Sequence, residues 1–162
     1  MTLQCRIAPC LWFDGQAEEA ATFYTGIFPR SRIAATLYYG EAGRDIHGHA
    51  AGSVLTVEFE LDGLHFTALN GGPQFRFSEA VSFQIECETQ AEIDYYWSAL
   101  TAGGSEQPCG WLKDRYGVSW QVVPSIMLKW LTGDPVRAEH VMAALMPMKK
   151  LDVAALQRAY ES

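Results

Sequence analysis

The sequence has little basic charge. It contains 12 Lys and Arg residues against 19 Asp and Glu residues, so the formal net charge is −7 at pH 7. Lys149-Lys150 is its only pair of adjacent basic residues. A polyanion such as DNA or RNA would be repelled on average, and we therefore expect no nucleic-acid partner.

The chain also lacks a long apolar run and a metal-type cysteine pattern. No stretch approaches the roughly 18 apolar residues of a membrane span, and the N-terminus does not have the form of a signal peptide. We therefore expect no membrane partner and a cytoplasmic location. The four cysteines, Cys5, Cys10, Cys87 and Cys109, contain no Cys-x-x-Cys pair, so neither a zinc knuckle nor a redox pair is indicated.

What the sequence does contain is a repeated pattern of apolar residues. The spacing i, i+3, i+4, i+7, which marks one face of a helix, occurs at residues 20–27 and again at residues 93–100. Each set follows a strand-like run, and each half closes on a strand led by Gly63 or Gly117. A duplicated strand–helix–strands unit predicts an α+β fold.

The predicted elements divide the chain into two modules and a tail, together one globular domain. The first module, 1–70, has a helix at 16–28, a loop at 40–52 and strands at 4–13, 32–39, 53–61 and 64–70. After a linker at 71–80, the shorter second module, 81–124, has a helix at 89–102 and strands at 81–87, 105–107, 111–115 and 117–124. Residues 125–162 are predicted to be a helical tail with N-caps at Asp134 and Asp152. This tail either covers its own subunit or contacts a second one.

Three segments, 9–24, 68–73 and 107–124, carry a resemblance to a known family. They resemble the PhnB-like family of the vicinal oxygen chelate superfamily, which includes glyoxalase I, bleomycin-resistance proteins and extradiol dioxygenases. Residues 148–157 are similar to the end of that family's sequences. The resemblance implies paired βαβββ modules that form an open, cup-shaped barrel with a cavity, commonly assembled as a homodimer.

Sequences of this family are often labelled demethylubiquinone methyltransferases. A methyltransferase needs a site for S-adenosylmethionine, usually a Gly-rich turn after the first parallel strand. No Gly-x-Gly occurs in the chain. Methyl transfer is therefore disfavoured.

Metal-dependent relatives place His or Glu at four positions that face the cup. The resemblance maps these positions to Ile7 or Pro9, Phe66 or Thr67, Ala80 or Ser82, and Gln121. None of them is a histidine or a carboxylate, so we predict no tightly bound metal and no cofactor. His47 and His49 flank Gly48 in a Gly-rich loop, where a solvated loop is favoured over a chelating pair.

Three side chains are candidates for catalysis. Glu58 and Glu86 alternate with apolar neighbours, and either carboxylate in a half-dry cup has the properties of a general base. The alternative is that both face solvent. Cys109 is a candidate nucleophile, although no His follows it, and turn geometry is the other explanation for its Pro-Cys-Gly setting.

A second group of side chains has the properties of a ligand-binding wall, since aromatic rings with a few amides and hydroxyls suit a planar or apolar small molecule. Its members are Trp12, Thr67, Ser82, Gln84, Trp111, Ser119 and Gln121. We therefore predict a homodimeric small-molecule-binding protein of the glyoxalase and bleomycin-resistance type, with the ligand in an aromatic cup. The alternative is a lyase or isomerase that uses a weakly bound divalent ion or a carboxylate base.

Overall fold

The computed structural model describes residues 7–162, in two compact units. The first unit extends to Arg76 and the second runs from Phe77 to Ser162. The beginning of the predicted strand at 4–13 lies outside the described residues. Within 7–162, no helix is both long and apolar enough to cross a membrane.

The first unit is a four-stranded mixed sheet with one long helix. Its elements are β1 (Cys10–Phe13), α1 (Ala17–Ile27), β2 (Arg32–Tyr38), α2 (Arg44–His47), β3 (Val54–Leu61) and β4 (Leu64–Asn70). The strand order is β1-β4-β3-β2, and β1 is parallel to β4 while the other pairs are antiparallel.

The second unit repeats this arrangement and adds three helices. Its elements are β5 (Ser82–Cys87), α3 (Gln90–Thr101), β6 (Ser105–Glu106), β7 (Trp111–Lys113), β8 (Ser119–Pro124), α4 (Met127–Thr132), α5 (Pro135–Leu145) and α6 (Val153–Glu161). The order β5-β8-β7-β6, with β5 parallel to β8, corresponds strand for strand to the first sheet. The predicted α+β class, with two βαβββ modules and a helical tail, is confirmed.

Each helix covers one face of its own sheet because its apolar side chains lie on one stripe. In α1 the residues Ala20 and Tyr24 are fully buried, and α1 packs on β3 and β4. In α3 the residues Ile93 and Leu100 are fully buried, and α3 packs on β7 and β8. The opposite face of each sheet, which these helices leave uncovered, is called its open face below.

The structure departs from the predicted elements by more than one residue in three places. Pro9, Ala8 and Ile7 precede β1, which begins only at Cys10. The segment between β7 and β8 is a turn, because the carboxylate of Asp114 accepts the backbone N–H groups of Tyr116 and Val118 and draws residues 114–118 out of the strands. The predicted loop 40–52 contains the short helix α2.

The helical tail packs on its own unit. Asp134 and Asp152 cap α5 and α6 as predicted, through backbone N–H groups 2.9–3.0 Å from their carboxylates. Gln90 of α3 donates to the carbonyl of Leu151 at 3.0 Å and accepts from Val153 at 2.9 Å. These bonds favour the interpretation in which the tail covers its own subunit.

Candidate functional site

The open face of the second sheet carries a row of polar and aromatic side chains. Side chains alternate between the two faces along a strand, so Ile85 and Val122 point toward α3 and are buried, while Gln84 and Gln121 lie on the open face. Gln121 pairs with Gln84 on β5 and with Trp111 on β7. Three of the predicted ligand-binding residues therefore stand side by side across three strands.

Hydrogen bonds fix the amides in this row. Gln84 Nε2 donates to Gln121 Oε1 at 3.2 Å, and Gln121 Nε2 donates to Ser82 Oγ at 2.8 Å. The Gln121 amide is thus oriented from both ends. A preset amide is suited to hold a ligand oxygen or N–H group without first losing side-chain freedom.

A cavity of about 310 Å³ lies beside this row, within the second unit. Its polar and aromatic lining comes from Gln84, Glu86, Cys109, Trp111, Gln121 and Ser125. Its apolar lining comes from Val123, Pro124, Met127, Leu128, Leu131, Leu145 and Leu151. The volume is at the lower end of the range for small-molecule sites. Trp111 is the one aromatic residue of this lining, so the wall is mainly aliphatic, in contrast to the aromatic cup that the sequence predicted.

The two candidate catalytic residues of this cavity have different surroundings. Glu86 is exposed, on the open face next to Gln84. Cys109 has a left-handed backbone (φ 61°), and its N–H donates to the carbonyl of Met148 at 2.7 Å. Its Sγ lies 4.0 Å and 3.9 Å from the carbonyl oxygens of Leu145 and Met146, which are acceptors for a neutral S–H. These contacts favour a turn-forming role for Cys109.

Ser119 is close to the row but does not line the cavity. It follows the turn at 114–118, pairs with Ser82 and with Lys113, and is only 1% exposed. Its Oγ is a buried atom without a hydrogen-bond partner within residues 7–162.

The remaining candidates lie in the first unit, where Glu58 is the centre of a hydrogen-bonded cluster. Glu58 Oε2 accepts from Thr67 Oγ1 at 2.8 Å and lies 2.9 Å from His65 Nε2. Sequence reasoning missed His65. The Asp62-Gly63 sequence between the two strands could have revealed it, because a tight turn there sets Glu58 opposite Thr67 and Glu60 opposite His65.

Cys10 belongs to the same open face, opposite Thr67. Partial desolvation, followed by the negative charge of Glu58, raises the pKa of the Cys10 thiol. Both causes disfavour the thiolate form of Cys10.

Trp12 is held by contacts within the first unit. Its Nε1 donates to the carbonyl of Gly72 at 2.8 Å, and its ring lies edge-on to Phe75 with centroids 4.9 Å apart. Gly71 lies directly against the indole, since a Cβ at that position would be 2.1 Å from the ring. The indole N–H is thus already used by the segment that follows β4.

The positions mapped from metal-dependent relatives do not fit a divalent ion. Thr67, not the buried Phe66, is on the open face of the first sheet, and Ser82, not Ala80, is on a strand beside Gln121. These positions offer hydroxyls and an amide whose two ends are already bonded. Across residues 7–162, no cluster of three or more His, Cys, Asp or Glu side chains is arranged to hold a metal.

The two loop histidines, His47 and His49, also make contacts within the first unit. His47 Nδ1 accepts the backbone N–H of His49 at 3.0 Å, and His47 Nε2 lies 3.2 Å from the carbonyl of Ala42. The His49 ring stacks on Tyr39, and the His47 ring is tilted against Tyr39 with centroids 4.6 Å apart. The His47 ring therefore holds the loop together.

Comparison with known proteins shows the family to which the chain belongs. A family model described as 3-demethylubiquinone-9 3-methyltransferase matches residues 5–123. The chain belongs to this family. The resemblance to PhnB-like proteins is confirmed by a Bacillus cereus structure, provisionally described as a 3-demethylubiquinone-9 3-methyltransferase and PhnB protein. It is 34% identical, with a TM-score of 0.64, and the match covers 73% of this chain and 98% of that one.

More distant structures share the fold of this PhnB-like protein. Protein PA1353 from Pseudomonas aeruginosa is 22% identical over 75% of this chain and 98% of its own, with a TM-score of 0.60. The fosfomycin resistance protein FosX from Listeria monocytogenes is 17% identical over 82% of this chain and 100% of its own, with a TM-score of 0.50. No protein with a curated description matches the chain significantly.

Proposed function

We propose that this PhnB-like protein binds a small organic molecule in the cavity of its second unit. The observation that carries the proposal is the cavity of about 310 Å³ with two different walls. Trp111 and the bonded pair Gln84 and Gln121 form the wall on the sheet, while Met127 and Leu145 belong to the apolar wall from the tail. A ligand with an apolar body and one or two hydrogen-bonding groups matches both walls.

Binding of octanamide, a neutral amphipathic probe, tests this proposal. Leu128 lines the cavity and is 71% exposed, so Leu128→Arg places a charge at the exposed edge of the cavity without disturbing a buried core. Val136 is 64% exposed and does not line the cavity, so Val136→Arg is the matched control.

Saturation-transfer NMR on the parent protein is expected to show octanamide binding. The signal should be lost in Leu128→Arg and retained in Val136→Arg. Equal binding by all three proteins, or by none, would overturn the proposal.

A second candidate function is proton transfer at the Glu58 cluster. The contact between His65 Nε2 and Glu58 leaves Nδ1 of the ring as the atom suited to accept a proton from a substrate, in the manner of a carboxylate–histidine pair. The sequence predicted an enzyme with a carboxylate base as the alternative function, and in the structure one such carboxylate, Glu58, contacts a histidine. Hydrolysis of 4-nitrophenyl acetate should fall by at least about tenfold in His65→Gln if this pair is active. His140→Gln, which changes a histidine of α5, should have no effect.

Methyl transfer is not proposed, although the family description names it. The turn after β1 contains a single glycine, Gly15. The first amide of α1, Ala17 N, is buried and donates to the side chain of Asn70 at 2.9 Å. The residues that would form a cofactor turn are thus occupied by a contact of the fold itself.

A homodimer and a cytoplasmic location remain part of the proposal. Light scattering coupled to size-exclusion chromatography tests the dimer, because a mass near 18 kDa would be that of a single chain.

A further inference from the structure

The carboxylate of Glu79 contacts the ammonium group of Lys113 and the side-chain amide of Gln107, both in the same unit. Lys113 Nζ is 2.6 Å from Glu79 Oε1, and Gln107 Nε2 donates to the same oxygen at 2.9 Å. The Glu79 side chain is 47% exposed and the Lys113 side chain 29% exposed. An ion pair as exposed as this one is screened by solvent and is therefore weak.

Lys113 stands on the open face of the second sheet, one row away from the cavity wall. It lies two residues after Trp111 on β7 and pairs with Ser119, which pairs in turn with Ser82. The next row contains Trp111, Gln121 and Gln84. Rows separated by two residues are about 7 Å apart, which is within the length of a small ligand.

The charges along the open face also favour one orientation of a bound ligand. Lys113 is at one end, the neutral amides Gln84 and Gln121 come next, and Glu86 lies beyond them on β5. An acidic group would be repelled at the Glu86 end, and it would be attracted at the Lys113 end once the Glu79 carboxylate has moved away from Lys113. The apolar lining beside the amides leaves room for the rest of the molecule.

We propose that Lys113 and Gln107 bind the acid group of the ligand, and that Glu79 takes the place of that group in the ligand-free protein. The ligand class is then an organic acid with an apolar body, which exchanges its carboxylate for that of Glu79. This inference rests on the proposed function, because the apolar body occupies the cavity described there. The exchange keeps the Lys113 ammonium paired and returns an exposed carboxylate to water.

Octanoate and octanamide, compared by isothermal titration calorimetry, test the inference because they differ only at the head group. In the parent protein octanoate is expected to bind more tightly than octanamide. Glu79→Gln should raise octanoate affinity about tenfold, since a tethered carboxylate competes at millimolar effective concentration. It should leave octanamide affinity unchanged.

Lys113→Met should abolish the preference for octanoate. Lys150→Met is the matched control, because Lys150 forms a similar ion pair at 2.6 Å with Asp94 of α3 and does not line the cavity. Circular dichroism of each variant verifies that the fold is kept.

The outcomes separate the two proposals. Octanamide binding that is lost in Leu128→Arg, together with octanoate affinity unaffected by Glu79→Gln and Lys113→Met, would overturn the acid site and leave the cavity proposal intact. Failure of both probes to bind even in Glu79→Gln would overturn both.

Discussion

The indole nitrogen of Trp120 donates a 2.9 Å hydrogen bond to Oδ2 of the buried Asp114 carboxylate. The other oxygen, Oδ1, accepts the backbone N–H groups of Tyr116 and Val118 at 2.8 Å and 3.1 Å. One carboxylate therefore joins the turn between β7 and β8 to a core side chain of β8. Because these two strands carry Trp111 and Gln121, this turn sets the wall of the candidate site.

Removal of the Asp114 carboxylate is expected to destabilise the protein strongly. In Asp114→Ala three N–H donors lose the buried carboxylate that accepts their hydrogen bonds, and we expect the free energy of unfolding to fall by about 2–4 kcal/mol. Urea unfolding measures the change. The exposed Asp45→Ala serves as a control and should alter stability by less than about 0.5 kcal/mol. A similarly small loss in Asp114→Ala would contradict the structural role.

Cys10 should become more reactive when Glu58 is neutralised. Partial desolvation and then the charge of Glu58 raise the pKa of Cys10, so Glu58→Gln removes the second cause and increases the thiolate fraction. Alkylation by iodoacetamide at mildly alkaline pH, followed by peptide mass spectrometry, resolves Cys10 from the other cysteines. Its rate should rise in Glu58→Gln and stay unchanged in Glu60→Gln.

Cys87 provides an internal reference in the same experiment. Burial, followed by the charge of Glu92, raises the pKa of Cys87 to about 12, so this thiol should remain unmodified in every variant. An unchanged Cys10 rate beside an unmodified Cys87 would show that Glu58 does not act on Cys10.

The fold could be read from the sequence because both modules repeat the same local signals. The apolar stripes that contain Tyr24 and Trp97 are the buried faces of α1 and α3. The Asp62-Gly63 turn fixes the register of β3 and β4 through local geometry. Signals of this kind involve residues that are close together in the chain, so they can be recognised in a single sequence.

The cavity could not be read in the same way. Alternation placed Gln84 and Glu86 on one face of a strand, but nothing local to Leu145 or Leu151 indicates which surface the tail covers. His65 was missed for a similar reason, since its contact with Glu58 is diagonal across two strands. Contacts between side chains that are far apart in the sequence leave no local pattern, so they can be identified only from the structure.

Gly104 is expected to tolerate no side chain. A Cβ there would be 2.1 Å from the carbonyl oxygen of Lys113 and 2.8 Å from the carbonyl carbon of Asp114. Gly104→Ala should therefore push β7 away and lower the free energy of unfolding by about 3 kcal/mol. Gly26→Ala is the opposite case, because nothing lies within 4 Å of its Cβ position and the residue is inside α1.

The two glycine variants should shift stability in opposite directions. Gly26→Ala is expected to stabilise by about 0.5–1 kcal/mol, since alanine loses less backbone entropy in a helix. Thermal unfolding of both variants checks the contrast. An unchanged stability of Gly104→Ala would mean that the close approach at Gly104 does not exist.

Glu79 should contribute to the acid sensitivity of the protein. The hydrogen bond from Lys113, followed by that from Gln107, lowers the pKa of Glu79 from 4.5 to about 2. A carboxylate whose pKa is lower in the folded state adds stability above pH 4.5, and this contribution is lost as the pH falls toward about 2. Glu79→Gln should therefore make the decline of the urea midpoint across this window shallower, and Lys113→Met should do the same because the ionised partner is gone. Lys129→Met, on the surface of α4, should keep the steeper decline of the parent protein. Parallel declines in all four proteins would show that the Lys113–Glu79 pair does not form in solution, and the acid-binding role argued for Lys113 would lose its basis.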